Sequence, residues 1–442
     1  MAVKVGMVSL GCSKNQVDGE IMLSLIQRDG YELCADPALC DVVIINTCGF
    51  IEDAKRESIE NILEFCERKR AGQVRAVVVT GCLAERYQQE IVSEIPEADV
   101  ILGIGRNTDI VAAIDHALHG ERVVEFSDKN DLVMDAERVL TNPPYYAYIK
   151  LADGCDNRCT YCAIPNIRGR FRSRKMENIL EEVRRFAAQG VTEMNLVAQD
   201  TTRYGEDIYG RLMLPELIRE VCKVDGVHWV RILYCYPQRI TEELLDVMAS
   251  EPKVVKYMDV PVQHASGRIL KKMNRRDDYT YLKNLMQHIR EKVPGVVLRT
   301  TFITGFPGET EEDFAELTRL VKEVRFERLG CFTYSREDDT PAYDMPDQID
   351  EETKRRRADI VMTEQLAIAE EFARSLIGRD LEVVVDGLDE ESGIYYGRSY
   401  MDAPDIDTRV YFDSPYEHEV GEYVTVTVTD SRGYDLMAEE AE

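Results

Sequence analysis

Short, continuously apolar segments alternate with helical segments along most of this chain. The first such unit contains three apolar runs and two helical patterns, at residues 3–10, 41–45, 76–79, 18–28 and 51–70. Runs that are apolar at every position are typical of strands buried on both faces of a parallel sheet that helices cover. We therefore predict an α/β domain with a parallel sheet over residues 1–135, with a polar linker at 127–144.

The middle of the chain carries six predicted strands with helices between them. The strands fall at 146–152, 194–199, 229–236, 257–262, 297–304 and 330–334. The helices fall at 176–189, 214–224, 241–250, 279–293, 311–324 and about 350–376. Repeated strand–helix units predict a partial or full (β/α) barrel whose active site lies at the carboxyl ends of the strands. We assign residues 141–376 to this second domain.

The last segment, residues 377–442, is β-rich and acidic. Four strands at 381–385, 394–400, 408–412 and 423–429 predict a small antiparallel β-barrel. From Gly378 onward, four arginines and no lysine stand against eighteen acidic residues, among them Asp402, Asp405 and Asp407. Because phosphate binding needs lysine and arginine, we expect this barrel to contact a basic protein rather than RNA.

The whole chain has the same charge bias. It contains 54 Lys and Arg against 82 Asp and Glu, which gives a formal net charge of −28. This balance disfavours nucleic acid as the direct substrate and favours a basic partner. No apolar run approaches the ~20 residues that span a bilayer, and the first residues lack the apolar stretch of a signal peptide. These features predict a cytoplasmic protein without a membrane contact.

Three cysteines of the first domain, Cys12, Cys48 and Cys82, each follow the end of a predicted strand. Ligands of open α/β sheets gather at the carboxyl ends of the strands, so the three thiols should meet at one edge. The chain has twelve cysteines and six histidines, and no histidine lies close to a cysteine cluster, which disfavours a mixed Cys/His zinc site. We predict a shared metal site; three separate buried thiols are the alternative.

A second cysteine motif follows the first strand of the predicted barrel. It consists of Cys155, Cys159 and Cys162, with three and then two residues between them. Three thiolates can bind three irons of a four-iron, four-sulfide cluster and leave the fourth iron open. This spacing is typical of radical S-adenosylmethionine (SAM) enzymes, in which one electron from the cluster releases a 5′-deoxyadenosyl radical. A zinc knuckle with a distant fourth ligand is the alternative.

Weaker features lie near these cysteines and at strand ends. Tyr161 precedes the last cysteine and is placed to touch the adenine of a cofactor, while Gln199, Gln263 and Gly305 lie at strand ends, where cofactor contacts are expected. Packing or an ordinary strand-to-helix turn explains each of them equally well. Basic residues after the cysteine loop fit either a solvated face or a positioning role, namely Arg168, Arg170, Arg172, Arg174 and Lys175.

Two three-cysteine sites, an α/β domain, a radical SAM barrel and a terminal β-barrel together resemble the methylthiotransferase family over essentially the whole chain. Six motifs are similar to those of its RimO type: SLGCSKN at 9–15, NTCGFI at 46–51, CAIPNIRG at 162–169, VAQDTT at 197–202, YCYP at 234–237 and PVQHAS at 261–266. The branch that modifies a tRNA adenosine has different residues at several of these places.

The resemblance implies two [4Fe-4S] clusters, one on each cysteine trio, and SAM used both as methyl donor and as radical source. It implies catalysis at Cys155, Cys159 and Cys162, and a terminal barrel of the TRAM type that recognises the substrate. The implied reaction inserts a methylthio group at the β-carbon of an aspartate in small-subunit ribosomal protein twelve.

The partners implied by this resemblance are that basic protein or its ribosomal subunit, with sulfur and electron donors that the sequence does not identify. Two other functions stay open at this point. The chain can be a tRNA adenosine methylthiotransferase, or a non-catalytic iron–sulfur or zinc module that binds a partner.

Overall fold

A computed structural model describes residues 2–441, so the predicted outer limits at residues 1 and 442 lie outside the described residues. The first unit is a six-stranded parallel sheet of order β2-β1-β3-β4-β5-β6. Its strands are β1 Lys4–Ser9, β2 Glu32–Leu33, β3 Val42–Thr47, β4 Ala76–Gly81, β5 Val100–Leu102 and β6 Val123–Glu125. Its helices are α1 Ser13–Arg28, α2 Glu52–Arg70, α3 Cys82–Arg86, α4 Gln88–Glu94 and α5 Ile110–Leu118. The predicted parallel α/β domain is confirmed.

The second unit holds a six-stranded parallel sheet of order β14-β13-β12-β11-β10-β7. Its strands, with a small hairpin β8–β9, are β7 Tyr146–Lys150, β8 Ala152–Asp153, β9 Arg172–Ser173, β10 Glu193–Val197, β11 Trp229–Ile232, β12 Val254–Asp259, β13 Val297–Thr304 and β14 Arg328–Thr333. Within residues 2–441 the end strands β7 and β14 do not pair with each other. The predicted barrel is therefore a partial one.

Helices cover the outer face of this second sheet and bury a large apolar core against it. The helices of this unit are α6 Ile164–Arg168, α7 Met176–Ala188, α8 Glu206–Tyr209, α9 Leu214–Cys222, α10 Glu242–Ser250, α11 Gly267–Lys272, α12 Tyr279–Lys292, α13 Glu311–Val324 and α14 Glu351–Ser375. In the part of the chain that the structure describes, no helix is both long enough and apolar enough to cross a membrane.

The third unit is a closed five-stranded barrel of order β15-β16-β17-β19-β18. Its strands are β15 Asp380–Asp389, β16 Ile394–Ser399, β17 Val410–Asp413, β18 Tyr423–Arg432 and β19 Asp435–Glu440. The sequence predicts only four of them, because β19 carries acids among its apolar residues. The β17–β19 pair is parallel, and the other pairs of the barrel are antiparallel.

The segment between β16 and β17 packs against the second sheet near the amino ends of its strands. Asp402 forms an ion pair of 2.6 Å with Arg328, and the Tyr146 hydroxyl donates to Asp405 at 2.9 Å. The Tyr257 hydroxyl donates to Asp407 at 2.7 Å. Asp402 and Asp407 therefore hold the barrel on the central unit and are not open to a basic partner, whereas Asp405 stays exposed.

Replacing Asp402 with alanine is expected to loosen this interface. Asp402 is 1% exposed and Arg328 is 5% exposed, so the change leaves a buried guanidinium without its carboxylate. Breaking such a pair costs about 3–5 kcal/mol. The single tryptophan, Trp229, packs against Tyr423 of the barrel with ring centroids 4.9 Å apart, so urea unfolding followed by its fluorescence reports on the interface.

The matched control is Asp413→Ala, which removes an exposed acid of the same barrel. We expect a lower unfolding midpoint for the Asp402 variant only. Equal midpoints for the two variants would contradict the role assigned to the ion pair.

Candidate functional site

The three cysteines of the first unit lie at one edge of its sheet. Cys12 follows β1, Cys48 follows β3 and Cys82 begins α3 directly after β4. These strands are neighbours in the order β1-β3-β4 and run parallel, so their carboxyl ends meet. The structure thus brings together the three residues that the strand-end argument predicted to share an edge.

Local backbone geometry fixes these cysteine loops. The sequence predicts a helix from residue 18, whereas α1 begins at Ser13, because Cys12 is extended and its carbonyl accepts the N–H groups of Asn15 and Gln16. Before Cys82, Gly81 has φ +94°, and a side chain there would lie 2.6 Å from the Thr47 nitrogen. Only glycine allows the close approach of β4 to β3 at this turn.

Hydrogen bonds tie the second and third loops to their surroundings. The Cys48 N–H donates to the Ser58 hydroxyl at 3.0 Å, and that hydroxyl lies 3.1 Å from the Cys48 carbonyl. The Leu83 N–H donates to the Thr47 hydroxyl at 3.2 Å. The thiols are therefore presented by loops whose backbone positions are fixed.

The environment of each thiol in this trio differs. Burial raises the pKa of Cys82 to about 12, although Arg168 opposes the shift, and burial also raises the pKa of Cys48. Packing around Cys12 disfavours its thiolate, but Lys14 and Arg168 outweigh this and lower its pKa. Cys12 is therefore the thiol of this trio that ionises most readily before a metal displaces the protons.

The second trio lies at the carboxyl end of the first central strand. Cys155 follows β8, and its N–H donates to the Gly169 carbonyl at 3.2 Å. The Cys162 N–H donates to the Cys159 carbonyl at 3.0 Å, which closes a tight turn between these two residues. Burial raises the pKa of Cys155 to about 12 and raises that of Cys162 as well.

The thiols of each trio are near neighbours without being arranged around one point. Cys12 and Cys48 raise the pKa of Cys82, and Cys155 and Cys159 raise that of Cys162, in each case as smaller contributions than burial. Within residues 2–441, no three Cys, His, Asp or Glu side chains lie close enough to bind one metal ion. The fit of each trio to iron and sulfide therefore rests on the soft thiolate ligands and on their common place at strand ends.

Cys82 of the first trio lies next to the loop of the second trio, across the interface of the first and second units. Cys82 packs against Ala163 and Ile167, and Ala163 directly follows Cys162. The Arg168 guanidinium, which belongs to the second unit, lies 3.3 Å from the Cys82 sulfur. The carboxyl ends of both sheets therefore meet at one place.

A buried ion network crosses this interface beside the cysteines. Arg168 donates to Asp18 at 2.7 Å and to Asp153 at 2.9 Å. Lys150 also bonds to both carboxylates, at 3.0 Å in the case of Asp153. All four side chains are at most 1% exposed. Two cations and two carboxylates from both units thus balance each other without solvent.

The four residues that the sequence predicts to contact the cofactor have different surroundings. The Gln199 amide donates to Asp153 at 3.3 Å, and its carbonyl oxygen is buried without a partner among the described residues. Tyr161 packs on the apolar core, and Gln263 has φ +71°. The Gly305 N–H donates to Glu309 at 2.8 Å, and a side chain at Gly305 would collide with Lys354.

Two of the basic residues after the cysteine loop are structural rather than solvated. Arg168 belongs to the ion network, and Arg174 is buried between Asp135 and Glu182. By contrast, the Arg170 side chain is 78% exposed. The arginines occur at every second position from 168 to 174, so their spacing alone does not show which of them are buried.

Lys14 and Tyr234 also lie at this site, although no sequence pattern marks either of them as a functional residue. The Lys14 ammonium lies 3.3 Å from the centroid of the Tyr234 ring, between the Cys12 loop and the end of β11. Tyr234 has φ +63°, a strained conformation for a tyrosine. The only signal was their place inside the SLGCSKN and YCYP motifs.

Three protein-family models match the chain in separate parts. The uncharacterized protein family UPF0004 matches residues 4–103, the radical SAM superfamily matches 149–321 and the TRAM domain matches 377–440. These matches confirm the predicted order of an α/β unit, a radical SAM unit and a TRAM barrel.

Curated proteins are similar over the whole chain. The ribosomal protein uS12 methylthiotransferase RimO of Lachnoclostridium phytofermentans is 49% identical, over 98% of this chain and 99% of its own length. The protein of that name from Thermoanaerobacter sp. is 47% identical, over 98% of this chain and 99% of its own length. The one from Clostridioides difficile is 46% identical, over 99% of this chain and 98% of its own length.

Solved structures share the fold at low identity. The radical SAM methyltransferase TsrM from Kitasatospora setae, with cobalamin and a [4Fe-4S] cluster bound, has a TM-score of 0.59 and is 15% identical. The match covers 86% of this chain and 76% of that one. At this identity the likeness shows the fold alone.

Proposed function

We propose that this chain, which belongs to the RimO family of ribosomal protein uS12 methylthiotransferases, inserts a methylthio group at the β-carbon of an aspartate in uS12. The observation that carries the proposal is the buried contact between Cys82 of the first trio and the residues that follow Cys162 of the second. Full-length similarity to the curated relatives supports the choice of uS12 over tRNA.

The cysteine trios fit iron–sulfur clusters, because thiolates are soft ligands and the three thiols of each trio come from loops at one sheet end. Cys155, Cys159 and Cys162 would hold the cluster that binds SAM. The second cluster would be held by Cys12, Cys48 and Cys82. When bound, these cofactors supply the 5′-deoxyadenosyl radical and the methylthio sulfur.

The protein contributes position, charge balance and exclusion of water. Ala163 and Ile167 cover Cys82 with apolar surface, and the Arg168 guanidinium lies beside its sulfur, where it stabilises the thiolate. The bond of Arg168 to Asp18 joins the two units, and its bond to Asp153 orients the guanidinium within the second unit. A substrate side chain that enters between the trios is thereby held close to both.

Tyr161, Gln199, Gln263 and Gly305 are our proposed SAM contacts. Gln199 has the best support, because its buried carbonyl oxygen has no partner within residues 2–441 and can accept a hydrogen bond from the cofactor. Gly305 has the weakest support, since the collision with Lys354 explains its lack of a side chain.

The terminal barrel supports a basic protein as partner. Twelve of its acids are exposed, whereas only three of its arginines are. Complementary charge would speed and orient the docking of a basic ribosomal protein.

We also propose that the protein acts in the cytoplasm, where ribosomes are, and that its domains span 1–135, 141–376 and 377–442.

Incubation of the reconstituted enzyme with SAM, a sulfide source and a reductant is expected to modify uS12 and not tRNA. Mass spectrometry should find one methylthio group on an aspartate of uS12, and parallel digests of tRNA should be unchanged. A methylthio-adenosine in tRNA with unmodified uS12 would overturn the proposal in favour of the tRNA branch.

A further inference from the structure

Lys14 is a buried cation that lacks a carboxylate partner. It is 5% exposed, and no Asp or Glu oxygen within residues 2–441 lies within the 4.0 Å of an ion pair. The other buried lysines all have such partners: Lys55 pairs with Glu337, Lys150 with Asp153 and Lys354 with Glu351.

Burying an ammonium is costly unless an anion or several acceptors replace its water. The face of Tyr234, 3.3 Å away, offsets only part of that cost. The first turn of α1, to which Lys14 belongs, carries no acidic residue either. Apart from the Cys12 thiol, which is a proposed cluster ligand, and the Tyr234 ring, Lys14 therefore lacks an acidic partner from the chain and can take one external anion.

The position of Lys14 points to the substrate as the source of that anion. Lys14 follows Cys12 by two residues, and Tyr234 lies just beyond the carboxyl end of β11, at the mouth of the partial barrel. Tyr234 is held with φ +63° because its N–H donates to Asp259 at 3.0 Å and its carbonyl accepts from Thr201 at 3.1 Å. The ammonium thus lies beside the first cysteine trio and at the carboxyl end of the second sheet.

Building on the function proposed above, we propose that Lys14 binds the side-chain carboxylate of the target aspartate. The β-carbon is bonded directly to that carboxyl carbon, so an ion pair at Lys14 would hold the reacting carbon between the trios. Lys14 would then be the residue that selects an acidic side chain as substrate. The competing role is that Lys14 merely balances the charge of a cluster on Cys12.

The test is a binding cycle with two forms of uS12, one with its target aspartate and one with asparagine there. Wild-type reconstituted enzyme is expected to bind the aspartate form about 10- to 100-fold more tightly by calorimetry, as for a hydrogen-bonded charge. Lys14→Met should bind both forms equally, and Lys14→Arg should restore part of the preference. Lys4→Met, an exposed change at the far end of β1, should behave as wild type.

Iron content and the electron paramagnetic resonance signal of the reduced protein separate the two roles. We expect Lys14→Met to keep both clusters. Loss of the Cys12 cluster with an unchanged aspartate preference would overturn the inference and favour charge balance. The inference would also be overturned if Lys14→Met kept both clusters and still preferred the aspartate form of uS12. This outcome counts only when the wild-type enzyme modifies uS12 in the same experiment. Failure of wild type to bind and modify uS12 would overturn the proposed function, and this inference with it.

Discussion

Alanine at Cys159 is expected to abolish the reductive cleavage of SAM, whereas alanine at Cys82 is expected to leave part of that cleavage and to stop methylthio transfer. Cys159 belongs to the trio that follows the first central strand, so its loss removes a ligand of the SAM-binding cluster. Cys82 belongs to the trio on the first unit, 73 residues earlier than Cys155 along the chain. The two changes therefore affect different halves of the reaction.

The measurements are 5′-deoxyadenosine release, methylthio-uS12 and iron per chain. Two four-iron clusters correspond to about eight irons, and each variant should retain about four. Cys331→Ala is the matched control, since this thiol lies on β14 and packs against the apolar core. Full methylthio transfer by the Cys82 variant would show that the first trio does not carry the second cluster.

The places of the six cysteines could be predicted because each depends on a local pattern. Continuous apolar runs identify β1, β3 and β4, and the carboxyl ends of parallel strands necessarily share an edge. Strands β2, β5 and β6 could not be predicted, because each is only two or three residues long and such a short segment shows no periodicity. The prediction that the thiols share this edge does not depend on the register between the strands.

The interfaces could not be predicted in the same way. Asp18 and Arg168 are separated by 150 residues, and neither differs in the sequence from an ordinary surface charge. Asp402 looks like one acid among many until its contact with Arg328 is seen. Charge counts describe the average surface of a domain, whereas burial of particular charges depends on how the domains dock.

The role of Lys14 could not be predicted from the sequence either. Its motif identifies the neighbourhood, but the absence of a carboxylate partner is a property of the folded interface only. Local sequence patterns therefore locate ligands that follow strands, and the folded structure is needed to find the groups that select and orient the substrate.

Methionine in place of Arg168 is expected to separate the two halves of the reaction. The change leaves Asp18 and Asp153 buried with Lys150 as their only cation. Removing one partner from such a network costs about 3–5 kcal/mol, and the remaining like charges repel each other across the interface. We expect SAM cleavage to persist in part, because Cys155, Cys159 and Cys162 are unchanged, while methylthio transfer falls by at least about a hundredfold.

The control is Arg170→Met, which removes a 78% exposed guanidinium two residues away and should leave both activities near wild type. A double variant, Asp18→Asn with Arg168→Met, removes one charge of each sign, so it should recover much of the stability lost in Arg168→Met alone. Recovery of stability without recovery of transfer would show that Arg168 also acts on the Cys82 sulfur. If Arg168→Met alone kept full transfer, the ion network would not be what holds the two trios in working contact.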